Sequence, residues 1–358
     1  MHKNHASGGQ LLNFNREVQH PSQLGQLCGS DRLFRDRYAI HRLLGRGGFG
    51  VTFLAQDITQ PESPYCVIKQ LFPKASDEAA LKRARKCFAR EAKTLHQLGN
   101  HSQIPALFDY FEAEGEFYLV QEYVEGMTLT KEIRRYGTFS ETKVKLFLSE
   151  ILPLLQFIHY QGVIHRDIKP PNILRRQSDR KLVLIDFGAV KEKLAETTAA
   201  LDQQTTTTST NFVGTLGFAP PEQLSLRPVY GSDLYALGIT CIYLLTGRTP
   251  LQLQTNPETG EICWRNFIQV GDYLAEIIDK LIKPSTRERY RSAKEALHTL
   301  DLEGHIDSLA NCMMTKPLSG KESRPPVEEP GQYLPPAVRT AIAIRNRLAR
   351  MKQNRPSW

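Results

Sequence analysis

Near Gly126 the hydrophobic pattern of this chain changes period, and that change limits its fold more than any other feature. Between Tyr38 and Val124 the apolar residues come in short runs, YAIHRLLG, VTFLAQD, YCVIKQLF and FYLVQEYV, which suit strands. One helix-like stretch interrupts them, from about Asp77 to Leu98. Beyond Gly126 the runs lengthen to KVKLFLSEILPLLQFIHYQG, SDLYALGITCIYLLTG and YLAEIIDKLI, which repeat at helical spacing. Strands gathered first and helices second predict an α+β protein with two lobes, a β-rich one over 38–124 and a mostly helical one over 125–305. Residues 1–37 are polar and weakly patterned and are expected to form a mobile arm. A Pro/Glu-rich linker is expected over 306–335, and a basic amphipathic helix over 336–353.

Charge and cysteine usage narrow the setting. The net charge of +8 is concentrated at the end of the chain: residues 331–358 carry Arg339, Arg345, Arg347, Arg350, Lys352 and Arg355 with no acid. Without those six the remainder stands at +2, so a nucleic-acid partner is not expected. Six scattered cysteines lack any C-x-x-C pair, which argues against a zinc site or a disulfide framework and for a reducing cytoplasm. No stretch of 18 uninterrupted apolar residues reads as a membrane span, and the first ten residues lack a signal-peptide core.

Three segments carry chemistry. LLGRGGFGV, residues 43–51, places glycines at 45, 47 and 50, where backbone N–H groups can approach phosphates. The strand-like VTFLAQD that follows argues for a flap between two strands rather than a helix-capped dinucleotide site. YCVIKQ sets Lys69 inside an apolar strand, and a buried ammonium needs a counter-charge. Glu91 in FAREAKTLHQL is the best candidate. HRDIKPPNIL (165–174) packs Asp167, Lys169 and Asn172 into six residues, and LVLIDFG (182–188) delivers Asp186 at a strand end, as if aimed at a metal. Phosphoryl transfer needs phosphates held, a divalent cation held and a hydroxyl oriented, and this set supplies all three.

In that order these motifs resemble the eukaryotic-like protein serine/threonine kinases, over about residues 38–305. YCVIKQLFP and GTLGFAPPEQ are similar to bacterial, particularly cyanobacterial, members. Some of those begin with paired cysteines; here Cys28 stands alone, so no metal-binding preface is carried over. The resemblance implies ATP with Mg²⁺ or Mn²⁺. Lys69 would contact the phosphates and pair with Glu91, Asp167 would orient the acceptor hydroxyl, and Lys169 would neutralise charge at the transferring phosphate. Asn172 and Asp186 would hold the metal. The nucleotide would lie against Leu44, Gly45, Arg46, Gly47, Gly48, Phe49, Gly50, Thr52 and Val67, with Glu122 to Val124 as the hinge and Gln121 as gatekeeper. Asp233 would brace the catalytic loop beside Arg166, Glu222 and Arg289 would form an ion pair, and Thr215 would position substrate. The H-R-D-x-K form with G-T favours Ser/Thr over Tyr acceptors.

Thr52 and Val67 depart from the usual valine and alanine around adenine, but no charged group is lost. Two rivals remain: a pseudokinase that binds or scaffolds, and a small-molecule phosphotransferase. The run TTTTST, 205–210, falls between D-F-G and P-E, where the family has its activation loop. Thr207, Thr208, Ser209 and Thr210 are therefore candidates for autophosphorylation, with Arg166 as the phosphate's partner and a second copy of the chain as a natural donor. Ala337, Ala341, Ile344, Leu348 and Met351 form an apolar stripe beside arginines. That helix could pack back on the body, dock a partner protein, or lie on an anionic membrane and give peripheral association.

Overall fold

The computed structural model describes residues 23–47, 50–71, 78–99, 101–187, 191–192 and 217–303. After a short helix α1 (Gln23–Leu27), strands β1 (Tyr38–Gly47), β2 (Gly50–Asp57) and β3 (Tyr65–Leu71) precede helix α2 (Glu78–Leu98). Strands β4 (Leu107–Ala113) and β5 (Glu116–Glu122) complete a five-stranded antiparallel sheet in the order β1-β2-β3-β5-β4. Then come β6 (Gly126–Thr128), α3 (Leu129–Tyr136), α4 (Glu141–Tyr160) and β7 (Val163–Ile164). A single 3-10 turn over Pro170–Asn172 leads into β8 (Ile173–Arg176) and β9 (Leu182–Leu184), which pair with β6 in the order β6-β8-β9. β10 (Lys191–Glu192) pairs with β7. The remaining helices are α5 (Pro221–Leu224), α6 (Tyr230–Thr246), α7 (Asp272–Leu281) and α8 (Ala293–Leu302).

Side-chain alternation decides what the sheet presents. On β3, Cys66, Ile68 and Gln70 are buried while Val67 and Lys69 turn to the other face, the two-residue period of a strand. The buried set packs with Ile40, Phe53, Tyr118 and Val120. Residues 23–37 cover that core, which corrects the expectation of a mobile arm for this part of it. Leu24 is wholly buried, Phe34 is 3% exposed, and the Phe34 ring lies 5.0 Å from that of Tyr118. Arg35 places its guanidinium 4.1 Å from the centroid of Phe111. Isolated apolar residues in a polar stretch show no period, but the outer sheet face needs cover. Burying Leu24 and Phe34 contributes about 1.5–3 kcal/mol each.

In the larger lobe α6 is buried along most of its circumference, as its almost uninterrupted apolar sequence requires. A Cβ at Gly238 would lie 2.6 Å from Ile282 Cγ2, so the missing side chain lets the chain at the end of α7 lie close against α6. The helix ends at Gly247, whose φ of 69° suits a left-handed cap. Serine side chains cap α4 and α8: Ser140 accepts from Lys143 N at 3.3 Å, and Ser292 from Glu295 N at 3.2 Å. α4 packs on both α6 and α8, joining the helices around one core that includes the wholly buried Trp264. The expected linker, the basic helix at 336–353, residues 1–22 and the TTTTST run lie outside the described residues.

Candidate active site

Strand pairing and one helix face bring the charged groups together. Thr52 on β2 is opposite Lys69 on β3, and Val67 is opposite Gln121 on β5. On α2, Phe88, Ala92 and Leu95 are buried, and Phe88 stacks on Phe117 at 4.9 Å. Glu91 sits on that inward face, 7% exposed, and its Oε1 receives Lys69 Nζ at 3.3 Å. The same ammonium donates to Asp186 Oδ1 at 2.6 Å. Burial would depress the Lys69 pKa, but Glu91 and Asp186 together hold it above its ordinary value. Burial also pushes Glu91 up against the pull of Lys69, whereas Asp186 stays below its ordinary value because Lys69 outweighs its desolvation. Two carboxylates share one cation, so the cluster keeps an excess of negative charge.

The catalytic loop is held from beneath. Arg166 has φ 68°, a left-handed backbone that costs a non-glycine residue roughly 1–2 kcal/mol. Asp233, wholly buried on α6, secures that conformation by accepting from His165 N at 2.9 Å and Arg166 N at 2.8 Å. Its Oδ2 also lies 2.8 Å from His159 Nε2. Burial opposes its charge, but the hydrogen bond from His159 and the field of the two histidines keep it ionised well below the ordinary range. From α5, Gln223 Nε2 donates to Arg166 O at 2.7 Å. Burial pushes the His165 pKa down, and its ring meets Phe187 edge-on at 4.7 Å. Phe187 is 1% exposed and belongs to the large core with Leu95 of α2. The helix bearing Glu91, the segment bearing Asp186 and the loop bearing Asp167 are thus packed as one body.

Asp167 Oδ2 receives Lys169 Nζ at 2.8 Å and Asn172 Nδ2 at 2.9 Å; the same amide donates to Asp167 O at 2.9 Å. Farther out, Arg289, 2% exposed, grips Glu222 with two N–H groups at 2.6 and 3.1 Å and donates to the carbonyls of Gly231 and Pro284. Ser232 Oγ donates to the same carboxylate at 2.8 Å.

Between the lobes lies a cleft of about 370 Å³. Leu44, Gly45, Thr52, Val67, Lys69, Glu122, Val124, Asn172 and Asp186 line it, as sequence predicts. Gln121, the expected gatekeeper, also lines it. Three of the expected residues have further constraints in the structure. Gly50 is in β2, and a Cβ there would meet Gln70 O at 2.1 Å, so the strand pairing requires glycine. Arg46 is exposed on β1 and is absent from the lining. The Glu122 carboxylate turns back to the Ala106 amide at 3.2 Å, leaving contact with a base to the hinge backbone. Gly47 is in β1, and its burial lies outside the described features; Gly48, Phe49, Thr215 and the four hydroxyl candidates at 207–210 lie outside the described residues. Sequence reading missed Leu174 and Ile185 on the cleft floor, Pro105 beside the hinge, and Arg42 and Lys131 at the mouth. The spacing of Leu174 two residues after Asn172 was the available signal for the floor.

Oxygen donors decide which cation would fit. Asn172 and Asp186 offer a hard, two-residue set beside phosphate space, which suits Mg²⁺ or Mn²⁺ shared with a nucleotide. No cluster of three or more His, Cys, Asp or Glu that could hold a metal occurs among the described residues. A second hollow, about 270 Å³ near Cys263, has its charges paired as Arg265–Asp279 and Lys283–Glu261, without converging catalytic groups.

The protein kinase domain family matches residues 38–300. Serine/threonine-protein kinase B of Synechocystis sp. is 48% identical over 297 residues, 83% of this chain and 52% of that one. Serine/threonine-protein kinase PknA of Nostoc sp. is 45% identical over 274 residues, 76% of this chain and 48% of that one. The chain spans about half the length of these curated relatives. The crystal structure of the Mycobacterium tuberculosis PknI kinase domain shares the fold, with a TM-score of 0.55 at 22% identity, covering 74% of this chain and 95% of that one.

Proposed function

Because the chain belongs to the protein kinase family, we propose that it is an active serine/threonine kinase that transfers the γ-phosphate of Mg·ATP to protein hydroxyls. One observation carries this reading. Lys69 reaches both Glu91 and Asp186 while Phe187 is packed inside, so the phosphate-binding and metal-binding groups converge in one closed arrangement. A pseudokinase reading has no comparable support, since every charged group that phosphoryl transfer needs is present.

In the proposed reaction the base lies between Val67 and Leu174, with its edge on the hinge backbone, and Lys69 holds the phosphates. Asn172 and Asp186 would hold the divalent cation, which neutralises phosphate charge when bound. Asp167 orients the acceptor hydroxyl and takes its proton as the new O–P bond forms. The bond from the γ-phosphorus to the bridging oxygen breaks, and ADP departs with that oxygen. Lys169, 2.8 Å from Asp167, offsets charge on the transferring group.

Regulation, setting and partners extend the proposal. The hydroxyls of Thr207, Thr208, Ser209 and Thr210 are the proposed autophosphorylation sites, and a second copy of the chain is the proposed donor. A signalling role in the cytoplasm is proposed, with the basic 336–353 segment as the contact to a partner protein or an anionic membrane. The test is a phosphoamino-acid and site map after the full chain is incubated with Mg·ATP and a protein acceptor. Phosphoserine and phosphothreonine are expected. Phosphate found only on an added aminoglycoside or sugar would move the reading to a small-molecule phosphotransferase.

A further inference from the structure

The nucleotide cleft has a charged mouth that phosphoryl transfer does not explain. Arg42 from β1 and Lys131 from α3 both line it, on opposite lobes. Arg134 and Arg135 lie three and four residues beyond Lys131, on the same side of the helix. The opposite side is spoken for: Leu129 and Ile133 are buried, and buried Glu132 is bonded to Lys143 and Arg175. Lys131, Arg134 and Arg135 are exposed. Among the described residues none of the three forms an ion pair, and neither does Arg42. Arg135 has its guanidinium 5.4 Å from the Tyr136 ring centroid.

Helix stability does not account for Lys131. Thr128 caps α3 by accepting from Lys131 N at 3.3 Å, so Lys131 stands in the first turn, at the positive end of the helix. Glu or Gln would close a capping box there, and a cation is disfavoured by about 0.3–1 kcal/mol. Arg134 and Arg135 complement the negative end, but Lys131 works against the positive one.

We propose that the Lys131–Arg134–Arg135 face, with Arg42 across the mouth, selects protein substrates whose acceptor hydroxyl is flanked by Asp or Glu. The proposal rests on the kinase reading above. α3 packs directly on the Pro170–Asn172 turn, which adjoins Asp167. An extended peptide advances about 3.3 Å per residue, so a few residues carry it from Asp167 past α3. A nucleotide does not fit the whole face as well. Lys69 already supplies its phosphate contact at the inner end, whereas Arg134 and Arg135 are absent from the cleft lining. A ligand using all three cations must run out of the cleft. Glu125 is the exposed acid on the adjoining hinge, and it leaves the face strongly positive.

The test is a degenerate peptide library with a fixed central Ser/Thr, phosphorylated by the full chain. It is repeated with Lys131→Glu, with Arg134→Glu/Arg135→Glu, and with the milder Arg134→Gln/Arg135→Gln. Acidic residues flanking the acceptor should be favoured over lysine, and the Arg134/Arg135 charge reversal should lower kcat/KM for acidic peptides about fivefold, as for two exposed ion pairs. It should do so chiefly through KM, with the KM for ATP within twofold and Tm unchanged. A flat or lysine-preferring profile would overturn the proposal. So would a preference that survives every variant, or a change confined to the KM for ATP. Self-labelling of the chain with no library labelling would refute the acidic-substrate proposal alone. Labelling of neither the library nor the chain would instead refute the kinase reading beneath it.

Discussion

Asp233→Asn should disable the catalytic loop while leaving nucleotide binding nearly intact. The wild-type carboxylate accepts from two backbone amides and faces His159, within 2.8–2.9 Å in each case. An asparagine offers one acceptor oxygen and turns an N–H₂ toward one former donor. Hydrogen bonds to charged groups are worth about 1.5–3 kcal/mol each, and losses within one network do not add. With a left-handed Arg166 to maintain, a loss of roughly 3–5 kcal/mol is expected. That corresponds to about 6–20 °C in Tm for a domain of this size. Relaxation of Arg166 would displace Asp167 by a fraction of an ångström or more, enough for roughly a hundredfold fall in kcat. KM for ATP should stay within a few-fold, because Lys69, Val67 and the hinge do not touch Asp233. The pH dependence has a defined sign. Asp233 is held below its ordinary value of 3.8, so its stabilisation is full above that pH and lost as pH falls through the depressed value. The stability gap between wild type and variant should therefore narrow below about pH 3.8. Steady-state kinetics and thermal melts across pH measure all of this. A variant with wild-type kcat and Tm would refute the bracing argument.

Other substitutions probe separate links. Lys69→Met removes the shared cation and leaves Glu91 and Asp186 facing each other; phosphate transfer should fall at least about a hundredfold, read by single-turnover labelling. Gly50→Ala forces a Cβ against Gln70 O, so β2 and β3 must part, and a Tm loss equivalent to about 1–3 kcal/mol is expected. Leu24→Ala and Phe34→Ala should each cost about 2–5 kcal/mol in denaturant melts, whereas residues of a mobile arm would cost nothing. Glu222→Gln strands buried Arg289 and should destabilise by about 3–5 kcal/mol, with little change in KM for ATP.

How much of this was legible in the sequence follows the range of the forces involved. Lys69 could be assigned a carboxylate partner because a lysine between Val67 and Ile68 must be neutralised, and Glu91 holds it at 3.3 Å. Asp167, Asn172 and Asp186 were legible because short loops fix them close together. The cover formed by Leu24 and Phe34 was not, since nothing local distinguishes an apolar residue that meets a distant sheet face from one in a slack tail. The structural demand for glycine at position 50 was not legible either, because backbone contact between β2 and β3 leaves no mark beyond the glycine itself. Arg42 and Lys131 escaped notice for a related reason: they come from opposite lobes, and only folding gives them a common cleft.

Transfer of γ-phosphate from Mg·ATP to a protein hydroxyl, compared between the wild-type chain and Asp167→Asn, tests the central claim most directly. The variant keeps the fold, the Asp233 brace and Lys69, and removes the carboxylate proposed to accept the hydroxyl proton. Labelling of serine and threonine by the wild type, falling about a hundred- to ten-thousandfold in the variant, is the predicted result. Equal labelling by the two proteins, or none by either, would contradict the assignment.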